Sequence, residues 1–513
     1  GTRLFAWKEI LENLAFSGTT PGYAGMGDWK GQVAVFSISG CPHCKAAKAL
    51  LKELEVPYVE MDLSGNKNLR AWLLDKTGKR TVPQIFLNDL HVGGNAELVE
   101  LNSQDKLKSM LDQVKNTPTP EGAPKLPDDI SDLDDDVEAI VFTCEPDLQA
   151  KIAAAMRGEG GLSIKDRRYH LILYTKCFTG NEFVDWMVAN AELTKCKTAA
   201  EAIEAGNDMM KGGLFDHVKS DHVLKNEELF YRFAEDDPKG SKALNAPTEG
   251  QVACQPQSAG ELGKQLRVMI LKLYDQFLSA DGRSVDYDGI GKSELFKDYQ
   301  EMATRLMRVD LSVPHEEKLA FLINIYNALV IHKTVVEGKP TSTWQRFKFF
   351  TRPGYIIAGH TYSLNDIENG LIRGNKPPPM SSKKQFAKKD PRIQFAIKKL
   401  DPRIHFALVC GAASCPPIKT YDAANVEEAL TAAAMSFFER DGIVLDEAKS
   451  EVSITRICKW YRSDFGRDDL DVVGWIASFL EGEKRDQCIR MLMMNPNLKI
   501  NYQKYDWGSN SKK

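Results

Sequence analysis

The 513-residue sequence predicts a multidomain chain of mixed α/β and α+β class. The expected parts are a βαβ domain, a small helical domain closed by a hairpin, and a mainly helical C-terminal domain with a small sheet. Three observations predict this. A buried-strand pattern, "QVAVFSIS", runs into a Cys-x-x-C and then an apolar stripe at helical spacing. Residues 161–233 read as helical segments followed by alternating apolar residues. Residues 315–336 carry a long apolar stripe of helical period. Two stretches without periodic apolar residues separate these patterns: "KNTPTPEGAPKLPDDISDLDDDVE" at 115–138 and "AEDDPKGSKALNAPTEGQVACQPQSAGELG" at 234–263. Both have the composition of tethers. The expected boundaries are therefore 1–30 for an N-terminal extension, 31–115 for the first domain and 116–144 for an acidic linker. The second domain takes 145–235, a second linker 236–261, and the third domain 262–513.

Composition narrows the function classes. Apolar content of 43% and charge of 27% are those of a globular protein. A net charge of −4 argues against a nucleic-acid partner. No run reaches the roughly 18–20 apolar residues that cross a bilayer. The cysteines are scattered, with only Cys41 and Cys44 closely spaced. That usage predicts a reducing, cytoplasmic setting. No metal site is expected. The amphipathic run "LFAWKEILENLAF" near the N-terminus predicts one further helix.

In the first domain, "GCPHCKAAKALLKELEVPYVEMDL" places Cys41 just ahead of a helix whose apolar face is Ala46, Ala47, Leu50, Leu51 and Leu54. Pro42 suits the first helical position. The positive end of the helix favours a thiolate on Cys41. Cys44 lies one turn along, placed to attack a mixed disulfide on Cys41. "TVPQIFLND" predicts a Pro83 turn that exposes backbone for pairing with an extended thiol substrate. A structural cysteine pair or half of a metal site is the competing reading of Cys-x-x-C alone. "CPHC", "TVPQIF" and the Gly-Gly of "HVGGNAEL" together resemble glutaredoxin, a thioredoxin-like fold. The resemblance implies that Cys41 is the nucleophile and Cys44 the resolving thiol. It also implies that Thr81, Val82, Pro83, Gly93, Gly94 and Asn95 line a glutathione groove. Glutathione, or a thiol-containing peptide or protein, is then the partner. One departure stands out: Ile38 occupies the position where the family usually has lysine.

The second domain, "GLSIKDRRYHLILYTKCFTGNEFVDWMV" through "DHVLKNEELFYRF", reads as helix, basic turn, two helices and a hairpin. It is similar to the DEP domain, a winged-helix module. The resemblance implies docking to a membrane surface or a signalling protein. Lys165, Arg167, Arg168 and Lys176 are the candidate basic cluster, against the plainer reading of a solvated face.

The third domain centres on "HEEKLAFLINIYNALVIHKTVV", with Leu319, Leu322, Ile323, Tyr326, Leu329 and Val330 as its stripe. Asn324, Asn327 and His332 share that helix and need partners if buried. They are structural pins or site residues. Farther on, "DPRIQFA" at 390–396 nearly recurs as "DPRIHFA" at 401–407. The first copy predicts a helix start. The second runs into "LVCGAASCPPI" and predicts a buried strand ending at Cys415. His405 would have to face the same side as Cys415 to serve as its base. "AFLINIYNALVIH", "YSLNDIENGLIRG", "DPRIHFALVCGAASCPPI" and "ICKWYRSDFG" resemble, in order, the blocks of domain of unknown function 547. Their Asn, His and Cys blocks imply a papain- or transglutaminase-like thiol site. Cys415 would be the acyl nucleophile, His405 its base, and Asn324 or Asn327 the residue that orients the base. Hydrolysis or transpeptidation would follow, with glutathione or other thiol peptides as one substrate option, as in phytochelatin synthases. Asn369 stands where relatives often have His; if that His is catalytic in relatives, either this site is impaired or His360 substitutes. The rival reading is a non-catalytic redox-sensing scaffold localised by its DEP-like part.

Overall fold

The computed structural model describes residues 29–38, 41–63, 67–120, 122–124, 143–144, 147–238, 242–246, 256–494 and 498–511. The expected N-terminal helix and most of the acidic linker lie outside the described residues. The chain forms two compact units, residues 1–145 and 146–513.

The first unit is built on a four-stranded sheet. Its strands are β1 (Val33–Ser37), β2 (Val59–Asp62), β3 (Gln84–Leu87) and β4 (Leu90–Gly93), in the order β2-β1-β3-β4. β1 runs parallel to β2 and antiparallel to β3. The parallel pair needs a crossover, and α1 (Pro42–Glu53) supplies it. All five residues of β1 are buried, as its unbroken apolar run predicts. Phe36 stacks on Trp72 at 5.5 Å and meets Phe86 edge-on, also at 5.5 Å. A fully buried aromatic of this kind contributes about 1.5–3 kcal/mol.

The second unit begins with α2 (Leu148–Arg157) and a sheet of β5 (Lys165–Tyr169), β6 (Ile172–Thr179), β7 (Phe215–His217) and β8 (Phe230–Phe233), ordered β5-β6-β8-β7. α3 (Gly180–Ala189) and α4 (Ala199–Lys211) pack on it. Each starts with a capping box, Thr179 with Glu182 and Thr198 with Glu201. The expected basic turn is a β-hairpin instead. β5 and β6 pair antiparallel, and His170 makes the turn with φ +52°. The hairpin's alternation is blurred because its tip is not packed: Leu171 is 96% exposed.

The rest of this unit packs around α5 (His315–Glu337). Every side chain from Leu319 to Thr334 is buried. The expected one-sided stripe is thus a core helix enclosed all round. It is long and apolar enough to cross a membrane, but it is buried among this unit's own side chains. A second core gathers Phe406, Phe438, Val473 and Ile476. β9 (Ile443–Asp446), β10 (Glu451–Ile454) and β11 (Lys499–Tyr502) form a small sheet beside it.

The segment expected to tether the second and third domains holds a docked turn. Asn245 is buried, donating to the carbonyls of Ala303 and Ile356 and accepting from Ile356 N–H. Arg308, also buried, reaches Asp147 Oδ2 at 3.0 Å, Gln149 Oε1 at 2.9 Å and the Gly212 carbonyl at 3.1 Å. Gly213 has φ +72°, and a Cβ there would stand 2.7 Å from the Met307 carbonyl oxygen. Only glycine permits that approach of backbones.

Both copies of the repeat take one shape. Pro391–Phe395 and Pro402–Phe406 are 3₁₀ turns, capped by Asp390 and Asp401 on the N–H two residues on. The helix expected for the first copy and the strand expected for the second are both corrected. The apolar run of the second copy misleads because it serves two cores: Ile404, Ala407 and Val409 join one, and Phe406 the other.

Candidate functional sites: two cysteine pairs

Cys41 is the N-cap of α1, and its Sγ accepts the Cys44 N–H at 3.2 Å. The first turn of α1 carries no acidic side chain. The helix end therefore offers its positive potential to the sulfur without competition. Cys41 Sγ also lies 3.7 Å from the Val82 carbonyl oxygen, and the Val82–Pro83 peptide is cis. Both cysteines are buried. Gly93 has φ +118°, and Gly94 caps the helix Asn95–Ser103, its N–H held by Glu97 Oε2 at 2.9 Å. Asn95 Oδ1 is a buried acceptor with no hydrogen-bond partner among the described residues. Ile38 is buried. The Thr81–Val82 edge is paired in parallel with Thr143–Cys144, with Val82 opposite Cys144.

The second pair was half foreseen. Cys410 and Cys415 flank a tight turn in which Gly411 takes φ +82° and Cys415 N–H donates to Ala412 O at 3.0 Å. The two sulfurs stand 3.1 Å apart, and Cys410 N–H donates to Cys415 Sγ at 3.2 Å. Tyr505 Oη lies 3.5 Å from both sulfurs. Tyr505 belongs to a strap laid along the turn. Ala413 N–H donates to Gly508 O at 2.7 Å, and Asn510 N–H to Gly411 O at 3.1 Å. Burial pushes the Cys415 thiol up. Hydrogen bonds from the Cys410 thiol, Tyr505, and the backbone at Cys410 and Ala412 outweigh it and bring the thiol down to about 7. Cys410 is pushed up, by its hydrogen bond to Cys415 and by burial. The sequence drew attention to Cys415 but not to Cys410 as its partner.

His405 is not at this pair. Its Nε2 bonds Asp464 Oδ2 at 2.9 Å, and its ring stacks on Tyr461 with centroids 4.0 Å apart. Burial lowers its pKa against the opposing pull of Asp464, whose carboxylate accepts from the ring. Asp464 is buried too. Burial raises its carboxyl, but His405 and Arg373 prevail and hold it below the usual range. Arg373 grips Asp464 at 2.7 and 3.0 Å and reaches Asn369 Oδ1 at 2.6 Å. Beside this cluster, Glu368 accepts from Tyr326 at 3.0 Å and Tyr461 at 2.5 Å.

The two asparagines pin backbone rather than orient a base. Asn324 spans both backbone groups of Tyr421, at 2.7 and 2.9 Å. Asn327 joins Ala407 O and Val409 N–H, each at 2.9 Å. His332 is a satisfied core histidine, 2.8 Å from Tyr355 Oη, with burial bringing it down to about 3. His360 lies 3.9 Å from Asp216 and against Phe395. The predicted Cys–His–Asn constellation is therefore dispersed among separate structural tasks. Its one signal in the sequence, co-occurrence in a family block, reports shared packing as readily as shared chemistry.

Three family models match successive parts of the chain: Glutaredoxin at 33–92, the Domain found in Dishevelled, Egl-10, and Pleckstrin (DEP) at 161–233, and Protein of unknown function, DUF547, at 311–438. Glutaredoxin 1 of Rickettsia conorii is 36% identical over 90 residues, 17% of this chain and 88% of that relative. Glutaredoxin-2 of Schizosaccharomyces pombe is 41% identical over 86 residues, 16% of this chain and 78% of that relative. Vacuolar membrane-associated protein IML1 of Coccidioides immitis is 39% identical over 87 residues; the match spans 17% of this chain but 5% of that relative's length. The buried strand, the helix-capping Cys41 and the Val82–Pro83 turn agree with the first of these matches, and the chain belongs, through residues 33–92, to the glutaredoxin family, carrying a DEP domain and a DUF547 domain in addition.

Proposed function

We propose that this protein is a glutathione-linked thiol–disulfide oxidoreductase that its DEP domain brings to a membrane surface. The observation that carries the redox reading is Cys41 Sγ at the head of α1, held by Cys44 N–H and beside the Val82 carbonyl. A Cys41 thiolate attacks a mixed disulfide and releases the protein thiol. A second thiol, from glutathione or Cys44, then frees Cys41 by the same exchange. Thr81, Val82 and Pro83 would align the extended peptide. Gly93, Gly94 and Asn95 would receive its polar end, the unpartnered Asn95 Oδ1 being one point of fit. The test is reduction of a glutathionylated peptide coupled to glutathione turnover. Cys41→Ser should lower the rate at least on the order of a hundredfold. Activity surviving that change would remove Cys41 from the reaction.

The membrane reading rests on the β5–β6 hairpin. Tyr169, Leu171, Ile172 and Leu173 are exposed at its tip, with Lys165, Arg168 and Lys176 also exposed. Arg167 is committed instead to Glu182, at 2.6 Å, and Lys176 pairs with Asp236 at 3.3 Å, which leaves Lys165 and Arg168 as the tip's main cations. An exposed apolar tip among cations suits an anionic headgroup layer. Sedimentation with anionic vesicles should fall on Leu171→Asp; unchanged binding would favour a protein partner.

Acyl transfer through Cys415 has less in its favour, since the side-chain hydrogen-bond partners of Cys415 among the described residues are Cys410 and Tyr505 and do not include His405. The sensing-scaffold reading has one observation in its favour, the pairing of Thr143–Cys144 on the Val82 edge. It predicts stoichiometric oxidation without turnover in the same assay.

A further inference from the structure

We propose that Cys410 and Cys415 form a second thiol–disulfide exchange site, whose substrate class is small disulfides such as glutathione disulfide. Two sulfurs 3.1 Å apart need to close by about 1 Å to reach bonding distance. They sit on a turn of small residues, which can absorb that shift. The donors are distributed unequally: the Cys410 backbone N–H points at Cys415 Sγ, and Tyr505 Oη reaches both sulfurs. Cys415 is therefore the sulfur prepared as thiolate, and Cys410 the one that keeps its proton. The contrast within the same unit is direct. Cys177, Cys196, Cys458 and Cys488 are buried, whereas Cys410 and Cys415 are partly exposed. Burial pushes Cys488 up to about 11. Among the described residues the side-chain hydrogen-bond partners of Cys415 are a second sulfur and a phenol rather than an imidazole, an environment that suits sulfur exchange better than acyl chemistry.

Cys415 thiolate attacks one sulfur of R–S–S–R; a Cys415–S–S–R bond forms and one thiolate, RS⁻, leaves. Cys410 gives its proton to that thiolate and attacks Cys415 Sγ, expelling the second RS⁻. The dithiol is oxidised by two electrons, and the small disulfide is reduced to one thiol and one thiolate, which takes its proton from water. The reverse reaction, driven by excess thiol, restores the pair.

The test uses the full chain with Cys41→Ser and Cys44→Ser, so that failure of the first site cannot affect the result. The protein is treated with glutathione disulfide, trapped with iodoacetamide near neutral pH, and mapped by peptide mass spectrometry. The expected result is a peptide spanning 410–415 that has lost two hydrogens, with labelling of both cysteines reduced about tenfold and restored by dithiothreitol. That measurement needs no change at either sulfur. Adding Cys410→Ser should leave a glutathione adduct on Cys415. Equal labelling of both cysteines with and without glutathione disulfide would overturn the proposal, as would an adduct confined to Cys410 in the intact pair.

Discussion

The two cysteine pairs are held together by different construction. Cys41 and Cys44 are one helical turn apart, and α1 itself supplies both their proximity and the N–H that Cys41 accepts. Cys410 and Cys415 have no helix. Their proximity comes from a turn at Gly411, a strap from residues 505–510, and an asparagine on α5 that pins the approach. The first pair is a local property of sequence. The second is a tertiary property, assembled from segments far apart in the chain. The second pair should therefore be sensitive to distant substitutions that leave the first untouched.

The largest effect on this contrast is expected from Asp464→Asn. It leaves Arg373 buried without its counter-charge, and breaking such a pair costs about 3–5 kcal/mol. Urea unfolding of the second unit should shift accordingly, while the first unit's transition stays put. Equal loss in both would erase the contrast. Gly93→Ala acts on the turn proposed to receive glutathione beside the first pair. A Cβ at φ +118° would stand 2.9 Å from Glu97, which caps Gly94. The strain and lost cap together cost about 1–3 kcal/mol and should weaken glutathione-dependent turnover more than stability of the second unit. The smallest and most specific change is Tyr505→Phe. Losing a hydrogen bond to the Cys415 sulfur removes a contribution that lowers its pKa. The pH profile of Cys415 alkylation, centred at about 7, should move to higher pH by up to roughly one unit. Alkylation at neutral pH then slows, and the Cys41 profile does not move.

The first pair was legible because its signals are short-range. Strand, Cys-x-x-C, helix and Val-Pro all fall within some fifty residues and obey known periodicities. The second pair was only half legible. Cys415 stood out by its small-residue turn, but nothing near it in the sequence names Tyr505 or Asn510. His405 was misread because a dense apolar run looks alike in a strand and in a 3₁₀ turn shared between two cores. Asn324 and Asn327 were open between pin and site residue, and the structure makes both of them pins. Arg308, which ties the DEP domain to the C-terminal part, and Asn245, which docks the connecting segment on that part, carried no pattern at all. Their partners lie too far along the chain for any periodicity to record.

The pairing of Thr143–Cys144 with Thr81–Val82 has a thermodynamic consequence. Any extended ligand that pairs on that edge meets a competitor tethered to the same chain. The competitor's effective concentration is fixed by the tether and does not change with dilution. Apparent affinity for such a ligand is its intrinsic affinity multiplied by the fraction of molecules with the edge open. Changing the length of the chain between the two segments would thus retune binding on that edge without altering Thr81 or Val82.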